Sequence, residues 1–149
     1  MPMDGSYEPS SSSMARDQVA LIESSGGAEG TLLKGRPVVV LTMRGNKSGA
    51  VRKTPLMRVE HDGRYALVAS LGGAPRHPVW YYNLRADAHV QIQDGPARGD
   101  YVTHEASGAE RDEWWERSVE AYPDYADYQR RTDRVIPVFV AEPADRAAR

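Results

Sequence analysis

From Arg36 onward, apolar residues arrive in short runs separated by turn formers, with few of the three-and-four spacings that mark a helix. PVVVLTM (37–43) is a compact apolar run, TPLMRVE (54–60) alternates, RYALVAS (64–70) is rich in β-formers, and HVQIQD (89–94) alternates almost throughout. ARGDYVTHEA (97–106) and VIPVFVA (135–141) bring the expected strands to six. Asp62-Gly63 is a hairpin signal, because the tightest antiparallel turns need positive φ, and Asp94-Gly95-Pro96 reads as another connection. Pro137 implies an edge, a bulge or a strand start that needs no ladder donor. Connections this short favour antiparallel pairing, and six short strands predict a small barrel in a mainly β, α+β protein.

Helical spacing appears in three places. Asp17–Ser25 carries Val19, Ala20, Leu21 and Ile22 and stops before Gly26-Gly27, after which residues 26–35 read as loop. HPVWYYNLRA (77–86) puts Trp80 and Leu84 on one face. A further helix begins at Ser107, where Ser-x-x-Glu to Glu110 fits a capping box; its inward face is expected at Trp115, Val119 and Tyr122, and Pro123 ends it. Residues 1–13, rich in serine and proline, are expected to be a disordered lead-in. The expected organisation is the lead-in 1–13, a helix and loop over 14–35, one barrel domain over 36–143, and a tail over 144–149.

Composition narrows the chemistry. A chain of 149 residues is sized for a single domain, and 19 basic against 21 acidic residues produce no general field for nucleic acid or an anionic membrane. Cysteine is absent, which removes thiolate catalysis and thiolate metal sites and fits a reducing, cytoplasmic setting. The four histidines lack metal-ligand spacing, so no metal is expected. No apolar run reaches the roughly 20 residues that span a bilayer, so no transmembrane segment is expected. Since no side chain here is a two-electron redox donor, any redox work requires a bound organic carrier.

Three stretches stand out against this background. LTMRGNKSGAVRKTPL (41–56) gathers Arg44, Lys47, Arg52 and Lys53 around Gly45, Asn46, Ser48 and Gly49, a composition suited to holding an anion at a hairpin tip. A solvated basic turn has the same composition, so the two readings stay open at this point. VASLGGAPRHPVWYYNL (68–84) runs a strand ending in Ser70 into Gly72-Gly73, where a flat ring can approach the main chain, and follows it with Trp80, Tyr81, Tyr82 and Asn83 as aromatic and amide wall or as ordinary core. In YPDYADYQRRTDR (122–134), Tyr122, Tyr125 and Tyr128 recur every three residues; Tyr122 reads as core, and Tyr125 and Tyr128 as candidates for the mouth of a site.

Taken in order, RGNKSGAVRKTPL, ASLGGAPRHPVWYYNL and YPDYADYQRRTDRVIPVFVAEP resemble the deazaflavin (coenzyme F420)-dependent nitroreductase and quinone reductase family of actinobacteria, over residues 37–143. The resemblance implies a split β-barrel of the flavin-reductase type, coenzyme F420 as hydride carrier, and reduction of a quinone, nitroaromatic or similar electron-poor small molecule. It implies that Asn46, Lys47, Ser48, Arg52, Lys53, Thr54, Pro55 and Leu56, with Met57 after them, surround the coenzyme's phosphate and acidic tail. Val68, Ala69, Ser70 and Leu71 would lie beside the ring, Val79, Trp80, Tyr81, Tyr82 and Asn83 beneath it, and Tyr125 and Tyr128 at the substrate side. Ser70, Tyr125 and Tyr128 are the expected catalytic residues: Ser70 stabilises charge on the accepting oxygen, and Tyr125 orients substrate or relays a proton. Relatives often carry a base where Asn46 stands and a lysine or aromatic where Leu71 stands, so tail contacts and substrate rim are expected to differ here. A binding protein that sequesters the deazaflavin is the alternative from another class, and FMN the alternative cofactor on the same barrel. Relatives of such barrels are often paired, making a homodimer compatible. Some relatives associate with membranes through a longer apolar N-terminus; the polar lead-in here does not suggest this.

Overall fold

In the computed structural model, which describes residues 6–9 and 12–147, eight strands form one antiparallel sheet curled into a half-barrel. They are β1 (Leu32–Leu33), β2 (Arg36–Arg44), β3 (Val51–Met57), β4 (Glu60–His61), β5 (Arg64–Val68), β6 (His89–Asp94), β7 (Ala97–Glu105) and β8 (Val138–Pro143). The order is β1-β2-β6-β7-β8-β5-β4, and β3 pairs with the opposite side of β2 from β6, since Thr42 faces Lys53 on one side and Gln91 on the other.

Eight strands replace the six expected. The two extra pieces are two-residue pairs: β1 folds out of the stretch read as loop, and β4 is cut from the 54–60 run by a break at Arg58 and Val59. Asp62 and Gly63 both have positive φ between β4 and β5, as the hairpin signal required. β8 begins directly after Pro137, whose carbonyl accepts the Ala69 N–H at 2.9 Å.

Both faces of the central strands are buried, which is why β2 reads as a continuous apolar run. Val38, Val40, Ala66, Val68, Val138 and Val140 face one cluster, shared with α1 (Ser13–Ser24), α3 (Gly108–Ala121) and α4 (Asp124–Arg130). Val39, Leu41, Leu67, Phe139 and Ala141 face the other, with Trp80 and Leu84 of α2 (Val79–Ala86) and Val90 and Ile92 of β6. The pairing of Trp80 with Leu84 expected from their spacing is therefore present.

Two local expectations are corrected. The buried face of α3 is centred on Trp114 and Ser118, and Trp115 and Val119 pack at its flank; one helical position separates the two stripes, and Arg117 stacking 4.6 Å over the Trp114 ring helps to seat that side chain. The capping box does not form, because Glu110 takes the His104 Nε2 contact at 2.8 Å and Ser107 makes no side-chain cap. At the N-terminus, Ser6–Pro9, from the stretch expected to be disordered, run parallel to β3: the Glu8 N–H donates to Val51 O and the Val51 N–H to Ser6 O. Residues 1–5, 10 and 11 of that lead-in lie outside the described residues. In the expected tail, Ala144–Ala147 make one helical turn. Among the described residues, no helix is long and apolar enough to cross a membrane.

Candidate functional site

An open cleft of about 330 Å³ lies where β3, the end of β5, the start of α2 and the α3–α4 junction meet. β3 contributes Thr54, Pro55, Leu56 and Met57 to its wall. Val68, Ser70, Leu71 and Gly72 form the strand end and the turn that follows, Trp80 stands at the first turn of α2, and Tyr125 and Tyr128 come from α4. Three stretches far apart in sequence thus supply one surface.

The turn Ser70–Ala74 is held by an arginine for which the sequence carried no signal. Arg134 donates to three carbonyls, Ser70 O at 2.7 Å, Ala74 O at 2.8 Å and Ala69 O at 3.1 Å, and meets His77 Nδ1 at 3.1 Å. A guanidinium has no acceptor, so His77 Nδ1 must accept. Desolvation first, and the Arg134 charge second, lower the His77 pKa, in agreement with a neutral ring, which also stacks on Tyr81 at 4.0 Å. Clamped in this way, Leu71 adopts φ 45, an uncommon backbone for a residue with a β-carbon, and remains partly exposed toward the cleft.

The three tyrosines form one cluster, with ring centroids 5.0 to 6.2 Å apart. Tyr122 Oη and Tyr128 Oη lie 2.9 Å apart, and Lys34 Nζ donates to Tyr122 Oη at 3.2 Å. Burial, reinforced by the bond to Tyr128, pushes the Tyr122 pKa up to about 12, while Lys34 pulls the other way. Tyr125 is 4% exposed; burial and the neighbouring tyrosines raise its pKa, and its hydroxyl has no hydrogen-bond partner among the described residues. The expected division between a core Tyr122 and a site Tyr125 and Tyr128 is absent: all three line the cleft.

Other expected site residues lie elsewhere. Asn46, Lys47 and Ser48 form the exposed β2–β3 turn, whose shape is held by Arg44 donating to Gly49 O at 3.0 Å and by Asn83 Oδ1 accepting the Asn46 N–H at 3.0 Å. Asn83 is therefore buried and committed within the protein. Arg52 pairs with Glu8 at 3.1 Å; Lys53 pairs with Glu23 and lies 4.9 Å from the Tyr7 ring centre. Carboxylates of the chain already occupy these two cations, and Lys47 has no partner among the described residues. Ala69 and Tyr81 are buried in the cluster that includes Phe139, and Val79 and Tyr82 are exposed on the outer side of α2.

Leu33, Lys34, Pro78 and Tyr122 complete the wall. Lys34-Gly35 between Leu33 and Arg36 is a tight turn with positive φ at both residues, and lysine at its first position is not one of the usual turn formers. The cleft is within the range of small-molecule sites, roughly 300 to 1,000 Å³. Its apolar floor of Pro55, Leu56, Val68 and Trp80, with hydroxyls at one rim, fits a flat heteroaromatic ring, and an anionic tail leaving along β3 would meet the cationic turn.

Comparison with known proteins gives a consistent picture. The family model for F420H(2)-dependent quinone reductases matches residues 14–143. An F420H(2)-dependent quinone reductase of Mycobacterium tuberculosis is 34% identical over 125 residues, covering 81% of this chain and 84% of that protein. A solved F420-H2 dependent reductase is 54% identical with a TM-score of 0.69, covering 72% of this chain and 95% of the other. A protein solved as a domain-swapped dimer is 49% identical with a TM-score of 0.71, covering 85% and 96% of the two chains.

Proposed function

The chain belongs to the F420H(2)-dependent quinone reductase family, and from that membership we propose that it reduces a quinone, or a nitroaromatic or similar electron-poor small molecule, at the cleft described above. The observation that carries this reading is the family match across the three stretches whose residues meet in one cleft with an apolar floor and a hydroxyl rim. Reduced coenzyme F420, when bound, supplies the hydride.

The protein's part is position and electrostatics. Pro55, Leu56, Val68 and Trp80 exclude water and present a flat surface, so that donor and acceptor carbons can approach to roughly 3 to 3.5 Å. Ser70 and the amides of the clamped turn stabilise negative charge as it develops on the accepting oxygen, where one well-placed donor is worth about 3 kcal/mol. Thr54 and Met57 border the ring; Lys47, with Asn46 and Ser48, attracts the anionic tail, and Arg52 and Lys53 join it when Glu8 and Glu23 release them. Tyr125 and Tyr128 face the acceptor. The curled sheet is read as a split β-barrel of the flavin-reductase type, working in the cytoplasm as a homodimer.

The test is spectroscopic: menadione is added to reduced coenzyme with and without the protein, and loss of the reduced coenzyme's absorbance is followed. Turnover with saturation in both substrates is expected. Saturable coenzyme binding without turnover would mark a sequestering protein instead, and absence of coenzyme binding in dilute buffer would remove the reading altogether.

A further inference from the structure

Lys34 belongs to none of the three stretches that carry the family resemblance, yet it reaches the tyrosine cluster from the β1–β2 turn, 88 positions from Tyr122. Its ammonium donates hydrogen bonds and accepts none. Tyr122 Oη therefore accepts from Lys34, and its own proton is available for the Tyr128 oxygen at 2.9 Å. Once Tyr128 accepts in turn, its own proton is left for an acceptor in the cleft that Tyr128 lines. The ammonium takes one of the two acceptor positions of the Tyr122 oxygen and so favours this direction of the chain.

One other charge bears on this arrangement. Asp124, the first residue of α4, is 3.8 Å from Lys34 Nζ and also acts on the Tyr122 hydroxyl. With Lys34 in place the ammonium shares this carboxylate with the Tyr122 hydroxyl. Without Lys34, Asp124 becomes the strongest acceptor beside Tyr122 and draws that proton, leaving Tyr122 to accept from Tyr128. Arg36, the neighbouring cation on β2, is directed to Ala121 O at 2.9 Å.

We propose that Lys34 is a positioning residue that sets the direction of the Tyr122–Tyr128 hydrogen-bond chain, so that Tyr128 offers the cleft a donor and selects electron acceptors bearing carbonyl or nitro oxygens. This rests on the quinone-reductase reading for the identity of the ligand. The donor would stabilise negative charge on the acceptor oxygen during hydride arrival, so Lys34, although it also borders the cleft, acts on turnover through Tyr128.

The first measurement needs no turnover. Menadione, whose oxygens only accept, is titrated into protein holding oxidised coenzyme, and tryptophan fluorescence, with Trp80 in the cleft wall, reports binding. Lys34→Met should raise the menadione dissociation constant about tenfold with the thermal midpoint nearly unchanged, Lys34→Arg should stay within about twofold of the native value, and Asp124→Asn should recover part of the Lys34→Met loss. In turnover, kcat of Lys34→Met should fall by a similar factor. In a Tyr122→Phe background Lys34→Met should have no further effect. Menadione affinity within about twofold of native in Lys34→Met, failure of Lys34→Arg to restore it, or an equal loss in the Tyr122→Phe background would each overturn the proposal. A failure of the quinone-reductase reading looks different, because the native protein itself would then not turn over.

Discussion

Gly72 and Gly73 are neighbours with positive φ in the turn beside the cleft, and replacing each by alanine separates two costs that normally arrive together. A β-carbon on Gly72, at φ 63, would meet nothing within 4 Å, so Gly72→Ala carries only backbone strain. That strain is about 1 to 2 kcal/mol, partly offset by about 0.4 to 1 kcal/mol from the stiffer unfolded chain. A β-carbon on Gly73, at φ 82, would stand 2.7 Å from Tyr128 O and 3.0 Å from both Tyr128 Cα and Arg131 Cβ. Two of these atoms are backbone of α4, so the helix must shift, and overpacking of this kind adds about 1 to 3 kcal/mol. The net expectation is about 1 kcal/mol for Gly72→Ala and about 3 kcal/mol for Gly73→Ala, or thermal midpoints lowered by about 3 °C and about 9 °C at this chain length. Urea unfolding followed by circular dichroism, with a thermal scan on the same samples, measures both. Because Tyr128 is the atom group displaced, Gly73→Ala should also weaken menadione binding and Gly72→Ala should do so less. Equal destabilisation by the two substitutions would refute the argument that α4 is seated directly on Gly73.

Arg134→Met strips three carbonyls and His77 of a charged donor and should cost about 3 to 5 kcal/mol, measured by urea unfolding; Arg134→Lys should recover less than half, because an ammonium lacks the forked reach of a guanidinium. Lys47→Ala should weaken coenzyme binding in a titration, most strongly at low salt, and leave the thermal midpoint within about 1 °C of native. Tyr125→Phe should change turnover or acceptor preference with coenzyme affinity intact, and identical kinetics on several acceptors would remove its hydroxyl from the reaction. The Tyr122 pKa of about 12 lies above the value of about 10 expected when unfolded, so its contribution is complete below pH 10 and is lost as pH climbs toward 12. Midpoints measured across that window should fall less steeply in Tyr122→Phe than in native protein.

Local chemistry was legible in the sequence. The apolar runs of β2, β5 and β8, the alternation of β6, the Asp62-Gly63 turn and the Trp80–Leu84 face all follow from contacts within a few residues, which propensity and periodicity report directly. The same holds for the stop at Pro123, whereas the residues of β3 and of the Ser70 turn that line the cleft were assigned to one site through the family resemblance and not through any local pattern. What failed was whatever depended on a partner distant in sequence. Trp114 rather than Trp115 faces inward because of the sheet and Arg117 around it, two-residue strands exist only beside neighbours able to pair with them, and Glu110 left its cap for His104. The cations of the β3 hairpin looked free along the chain, yet Glu8 and Glu23 reach two of them through the way the N-terminal segment and α1 lie on β3. Arg134 looked like any other arginine of its run until folding put three carbonyls within its reach, and Lys34 met Tyr122 only when the β1 turn closed on α3. The sequence by itself determined the elements and the types of side chain available; tertiary structure decided their partners, because the energy of a hydrogen bond or ion pair depends on a distance that no local pattern encodes.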